Sequence, residues 1–300
     1  MVNNMKTLIL SLTIFSSVVT ITQAQILPRS INDYLDAYLG TNAQPYIQPL
    51  ADMVTTNIHT GVWDWASIPD KAYFRIKANG MLTIPSESMR TFEGHTSGDF
   101  TPPQTVTAPT IIGDRESIVL HGSDTSVYVF PGGFDLHQIA LGTPQLVLGG
   151  LFHTEIMGRF LSFPINEQEG DVDFYGIGVR HSISAYFDEP PIDLSIGYAY
   201  HHIKAGSYLR SYHHLYSVIV GKSNKILSGH LSLNYQAAKY HLHYTYESEE
   251  GAYAANLDMA NSRPFFVEGG VGLKLAFLFL NGSISYAGFY SFALGAGLTF

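Results

Sequence analysis

Among its 300 residues the chain has no cysteine. It is therefore neither a lipoprotein anchored through an N-terminal Cys nor a disulfide-stapled secreted domain. Charge is scarce at 14%, and bases are fewer than acids, 16 Lys and Arg against 25 Asp and Glu, for a formal net charge of −9. A nucleic-acid partner is excluded on that balance. After the first 24 residues no apolar run approaches the roughly 18 residues of a membrane helix; even Val271–Leu280 is broken by Lys274. If this chain spans a membrane, it does so as strands. No Gly-x-Ser-x-Gly elbow occurs, and Ser and His are so plentiful that a chance pairing of them means little. The expectation is a protein that is not an enzyme and carries no cofactor.

What is abundant is aromatic and small: 19 Tyr, 18 Phe and 28 Gly. The final stretch shows how they are used. Tyr290, Phe292, Leu294, Ala296, Leu298 and Phe300 alternate with Ser291, Ala293, Gly295, Gly297 and Thr299. A strand sends alternate residues to opposite faces, so one face here is apolar and the other small and weakly polar. Lipid would cover the apolar face in a membrane barrel, and a second sheet would cover it in a soluble sandwich. At the other end, Lys6 precedes the uncharged run Leu8–Ile21 and then Thr22-Gln23-Ala24. This three-part form predicts a signal peptide over 1–24, cut between Ala24 and Gln25. Loss of Lys6 takes the mature chain to −10.

In chain order, Tyr34, Leu35, Tyr38 and Leu39, then Ile47, Leu50, Ala51 and Val54 after Pro45, recur at helical spacing and predict two short amphipathic helices. Trp63 and Trp65, the chain's two tryptophans, follow; they read either as plain packing of an N-terminal segment or as part of a plug in a lumen. Strand signals begin at Ala72–Ile84. A Pro/Ser/Thr/Gly-rich loop is predicted over 85–117. Strands then follow at Val127–Phe130, Leu136–Leu141, Gln145–Glu155, Asp173–Phe187, Ile192–Lys204, Ser211–Gly221, Ile226–Tyr235, Lys239–Glu247, Phe265–Lys274, Leu278–Tyr286 and Tyr290–Phe300. Short turns and no helical pattern between them imply an antiparallel meander, and closure removes its edges. The fold expected is an all-β, antiparallel transmembrane barrel of about 12 strands, with 10 to 14 acceptable, over 72–300, led by a helical plug over 25–71.

Histidine is the unusual chemical feature. His201, His202, His213 and His214 flank one short connection, so cross-strand pairing brings them together. Clustered imidazoles are candidate metal ligands, but His and Tyr also suit membrane interfaces and wet lumens, and the second reading is preferred. Arg159, Arg180, Lys204, Arg210 and Lys274 could line a lumen or simply be solvated.

Five short landmarks carry a family resemblance: Tyr46-Ile47-Gln48-Pro49-Leu50-Ala51, Gly61-Val62-Trp63-Asp64-Trp65-Ala66, Ala108-Pro109-Thr110-Ile111-Ile112-Gly113, Pro144-Gln145-Leu146 and Gly176-Ile177-Gly178-Val179-Arg180-His181. With them the chain resembles an uncharacterised family of Bacteroidota outer-membrane proteins, similar in plan to the long-chain fatty-acid transporters, though the Asn-Pro-Ala of the transporters' plug is absent. A terminal Phe300 likewise resembles the closing strand of outer-membrane barrels, where it serves as an assembly signal. The resemblance implies a Gram-negative outer-membrane location reached through the periplasm, with lipid and the barrel-assembly machinery as partners. It places Phe300 on the periplasmic side and the Glu247–Pro264 connection outside. The function expected is a passive channel or transporter for small amphipathic or hydrophobic solutes. The alternative is a non-conducting binding or scaffold barrel.

Overall fold

The computed structural model describes residues 42–97, 100–123, 126–166, 170–248 and 251–300. The predicted signal peptide with its cut at Ala24 and Gln25, and the predicted helix around Tyr34–Leu39, lie outside the described residues. The described chain opens with one helix, α1 (Ala43–His59). It starts before the predicted second helix because Pro45 sits in the first turn, where a missing N–H leaves no bond unmade.

Strands β1 (Tyr73–Ile84), β6 (Ile139–Leu151), β7 (Thr154–Asn166), β8 (Gly170–Ser182), β9 (Asp193–Ala205), β10 (Leu209–Ser223), β11 (Leu227–Ser248), β13 (Phe265–Leu275), β14 (Leu278–Tyr286) and β15 (Tyr290–Thr299) close into one antiparallel ring. Pairing of β1 with β15 and of β10 with β11 completes it. The barrel thus has ten strands, inside the expected range but two below its centre, for three physical reasons. Val127–Phe130 is not a stave: β2 (Thr91–His95) pairs with β3 (Thr105–Pro109), and β4 (Ile118–His121) with β5 (Val127–Phe130), as two small hairpins in a lid spanning 85–138. Ile226–Tyr235 and Lys239–Glu247 are one 22-residue strand. Leu136–Leu141 and Gln145–Glu155 are likewise one strand, β6, running to its hairpin with β7. The connection expected after Glu247 is itself a strand outside the ring, β12 (Gly251–Ala260), which pairs with the part of β11 beyond β13. The sequence reading also passed over β7, whose Arg159 and Pro164 blur its apolar alternation.

All five landmarks fall inside this scaffold, and its two ends differ. At one, which we call the closure end, Phe74 and Phe300 exchange backbone hydrogen bonds of 3.0 and 2.8 Å. Turns there are tight: Phe152 and His153, both with φ near +55°, link β6 to β7 as a two-residue hairpin loop does. The lid, and the part of β11 that pairs with β12, lie at the other end.

The side chains sort as the alternation requires. Outside, Ile76, Leu148, Ile177, Val218, Leu231, Val271 and Leu294 are exposed. At the lid end the outer face carries a run of touching rings, from Tyr175 through His202 to Tyr212, and from Tyr198 through Tyr216 and Tyr235 to Phe265. Phe152, Tyr186, Phe187, Phe277 and Phe300 project around the closure end. The 10 residues of β15 cover about 33 Å of strand, or about 25 Å of height at a tilt of about 40°, the thickness of a bilayer's apolar band. Inside, the wall is mainly polar, with Val147, Met157, Leu215 and Ile219 packed into one apolar cluster with Trp63. This is a soluble protein turned inside out, and no helix among the described residues is long and apolar enough to cross a membrane.

Candidate functional site: the plug and the lumen wall

The lumen is filled by residues 42–71. Helix α1 enters under the lid, and an extended segment continues from its C-terminus to the closure end. At its start, Asn42 bonds both ways with the His95 backbone, at 2.7 and 3.0 Å. Tyr46, with no exposed surface, donates its hydroxyl to the Gly132 carbonyl at 2.9 Å and accepts at its own carbonyl from the Ile111 N–H at 3.0 Å. Lower down, Asp52 accepts from the Ser262 backbone and hydroxyl at 2.6 and 2.5 Å. Thr55 shares a 2.6 Å hydrogen bond with Tyr240.

The helix ends at a charged wall. It stops where Thr60 turns extended, with ψ 135°, and Gly61 follows at φ +65°, a left-handed conformation that favours glycine. The Arg159 guanidinium donates to the Ile58 and Gly61 carbonyls at 2.8 and 2.7 Å, a cation closing the negative end of the helix dipole. It is itself oriented by Gln145, which accepts from its Nε at 2.8 Å and donates to the Val62 carbonyl at 3.1 Å. Glu268 takes the Gly61 N–H at 2.9 Å and the Ser285 hydroxyl at 2.7 Å.

The tryptophans seat in hollows that glycine leaves. A Cβ at Gly197 would come within 2.7 Å of the Trp63 ring, and one at Gly178 within 3.1 Å; Trp65 fills the equivalent space over Gly272. Trp63 Nε1 donates to the Ser217 hydroxyl at 3.0 Å, so its polar end is satisfied as well as its ring. Between them Asp64 is buried against Lys77, with Arg75 at 3.4 Å. Arg180, fully buried, donates to Glu155 at 2.8 Å and to the Trp65 carbonyl. Below the helix, four buried cations (Arg75, Lys77, Arg159, Arg180) face three buried anions (Asp64, Glu155, Glu268), an excess of one positive charge.

The five landmarks therefore all meet along the plug, at its two ends. Tyr46 touches the Ile111 segment, Trp63 rests on Gly178, Arg180 holds Trp65, and Gln145 holds Val62. On the small face of β15, Ala293 lies against the plug, where a Cβ on Gly61 would come 2.5 Å from its own, while Gly295 leaves room for Asn79 and Asn281, Gly297 for Lys77, and Ser291 bonds Thr83, all within the wall. Of the bases singled out from sequence, Arg159 and Arg180 grip the plug, Lys274 stands at the closure mouth, and Lys204 and Arg210 are exposed. Arg75, Lys77, Asp64 and Glu268 were missed. The alternation Arg75, Lys77, Asn79, Met81, Thr83 against Phe74, Ile76, Ala78, Gly80, Leu82 carries the signal for the first two.

Histidine divides by parity. His201 and His213 point inward and are directly paired across β9 and β10, while His202 and His214 join the outer rings. A third imidazole from the plug, His59, stands 5.3 and 6.0 Å from the two inner rings, centre to centre. Among the described residues no group of His, Asp or Glu is arranged to hold a metal ion.

Solved structures that share the barrel plan include the attachment invasion locus protein of Yersinia pestis, crystallised with a heparin analogue (10% identity, 77% of this chain and 99% of that one, TM-score 0.28). OmpT, an outer membrane protein of Vibrio cholerae, was matched in a loop-deletion form (10%, 77% and 99%, 0.26). The toluene transporter TbuX of Ralstonia pickettii also matches (10%, 86% and 92%, 0.18). Likeness this slight carries no functional argument. No curated protein matches the sequence. Residues 5–300 match a family described as one of unknown function (DUF6588), and the chain belongs to that family.

Proposed function

We propose that the protein is an outer-membrane barrel acting as a passive channel or transporter for small amphipathic or hydrophobic solutes, closed at rest by residues 42–71. The observation that supports this reading is the polarity of the wall beneath the plug. Arg75, Lys77, Gln145, Glu155, Arg159, Arg180, Ser217, Gln236 and Glu268 are all buried there. Water can satisfy each of them once the plug moves, so opening exchanges one set of polar partners for another. An apolar wall would make the same movement far more costly.

The apolar exterior, with rings at both ends, suits a bilayer. Export would use residues 1–24, and insertion the closing strand that ends at Phe300. Likeness to the long-chain fatty-acid transporters is one of plan, a helix-led plug in a barrel, and names no solute. A scaffold reading has one observation in its favour: Trp63 and Trp65 sit in fitted glycine hollows, which a fixed filling would also show.

The test compares full-length protein with a form lacking 25–71 in planar bilayers, after both have shown heat-modifiable gel migration. Conduction by the shortened form and near closure of the full chain is the expected result. Two folded barrels that both stay silent would favour the scaffold.

A further inference from the structure

Where the plug leaves the lumen, a cavity of about 510 Å³ opens at the closure end, within the roughly 300–1,000 Å³ of small-molecule sites. Its cationic lining is Arg75, Lys71 and Lys274, and its rings are Trp65, Tyr73, Phe279 and Phe300. The one acidic side chain in the lining, Asp70, is turned to His153 at 3.1 Å, and the carboxylate of Phe300 accepts from the Phe74 N–H at 3.0 Å. Lys71 and Lys274 make no ion pair among the described residues.

Arg75 is the decisive residue. It is 94% buried, at 6% relative exposure, yet its Nε has no partner among the described residues. Lys77 holds Asp64 more closely, which leaves Arg75 a single 3.4 Å contact with that carboxylate. The guanidinium lies 4.3 Å from the centre of the Phe279 ring and 5.3 Å from that of Tyr73. A buried guanidinium with an unused donor, stacked on aromatic faces, is built to receive a planar anion. The apolar rings around it would take the body that carries the anion.

We infer that this cavity binds a small organic carboxylate with an apolar body, held by Arg75 and Lys274 and packed against Phe279 and Trp65. It deepens the proposed transport by naming a solute class, but binding is read without conduction, so either idea can fail alone.

Isothermal titration of full-length protein in non-ionic detergent, with 4-phenylbutyrate as the probe and titration into detergent alone as reference, decides it. Saturable binding is expected, with the neutral 4-phenyl-1-butanol and inorganic phosphate each at least about tenfold weaker. Lys274→Gln, which touches no part of the plug's ion pairs, should weaken the carboxylate about threefold or more, and Arg75→Gln should abolish binding. An alcohol as tight as the acid would reduce the cavity to an apolar hollow and overturn the proposal. Phosphate as tight as the acid, no saturable heat from a heat-modifiable barrel, or full affinity in Lys274→Gln would overturn it equally.

Discussion

Gly61 shows how much can rest on one small residue. Its φ of +65° turns the chain just past the helix cap at Thr60, its N–H reaches Glu268, its carbonyl accepts from Arg159 and Asn79, and its missing Cβ admits Ala293. Gly61→Ala should cost roughly 1–3 kcal/mol through backbone strain and crowding together. Adding Ala293→Gly removes the crowding and leaves the strain, so recovery should be partial in a double-mutant cycle on denaturant unfolding. Full recovery would mean that the φ requirement is idle. Arg159 is the complementary case, a cation whose loss would strand the buried Ile58 carbonyl and leave that of Gly61 to Asn79 and Lys77. Arg159→Met should loosen the plug by roughly 3 kcal/mol, read as faster hydrogen exchange at 57–61 and more frequent openings in bilayers. Unchanged exchange there would show that the plug does not need this cap.

At the scale of elements, the lid and α1 behave as one unit, because Ala43, Tyr46 and Ile47 share an apolar core with Met89, Ala108, Ile111, Ile112 and Phe130. The lid's own clamp is electrostatic. Arg90 bonds Asp114 at 2.9 Å, Asp135, and the Leu136 carbonyl at 3.3 Å. The hydrogen bond from Arg90 holds the Asp135 carboxyl below the usual carboxylate range. A depressed folded value means the contribution is present above the unfolded carboxylate value of about 3.9 and is lost as pH falls through the lower folded one. The lid should therefore stay protected in hydrogen exchange at pH 5 and loosen only below about pH 4. Arg90→Gln should loosen it already at neutral pH and flatten that dependence; an identical acid profile in the variant would remove the clamp from the account. Strand count is also decided at this scale. Joining 226–235 to 239–247 needs no break in alternation, only the partner exchange in which β12 replaces β13 beside β11.

On the scale of the whole molecule, the sequence by itself determined the class of fold. Alternation to Phe300, scarce charge, abundant Tyr and Phe and the lack of a long apolar run could be met together by a barrel with an apolar outside. Helical spacing at 47–54 and the pair Trp63 and Trp65 fall in the segment that fills the lumen, though the sequence left plain packing and a plug both open for the tryptophans. Such features are local, and local chemistry is legible along a chain. Only the tertiary structure decided that a 22-residue strand changes partner midway, that 85–138 folds as a lid on α1, and that His201 and His213 face inward while His202 and His214 face outward. Register decides that last choice, since a slip of one residue exchanges the two faces. Charge pairing was likewise beyond the sequence. Asp64 lies 11 to 13 positions from Arg75 and Lys77, but Glu155, Glu268 and Arg159 join it only because the ring closes around the plug. Closure fixes which walls face which part of the filling, and that spatial fact is written in no short stretch of residues.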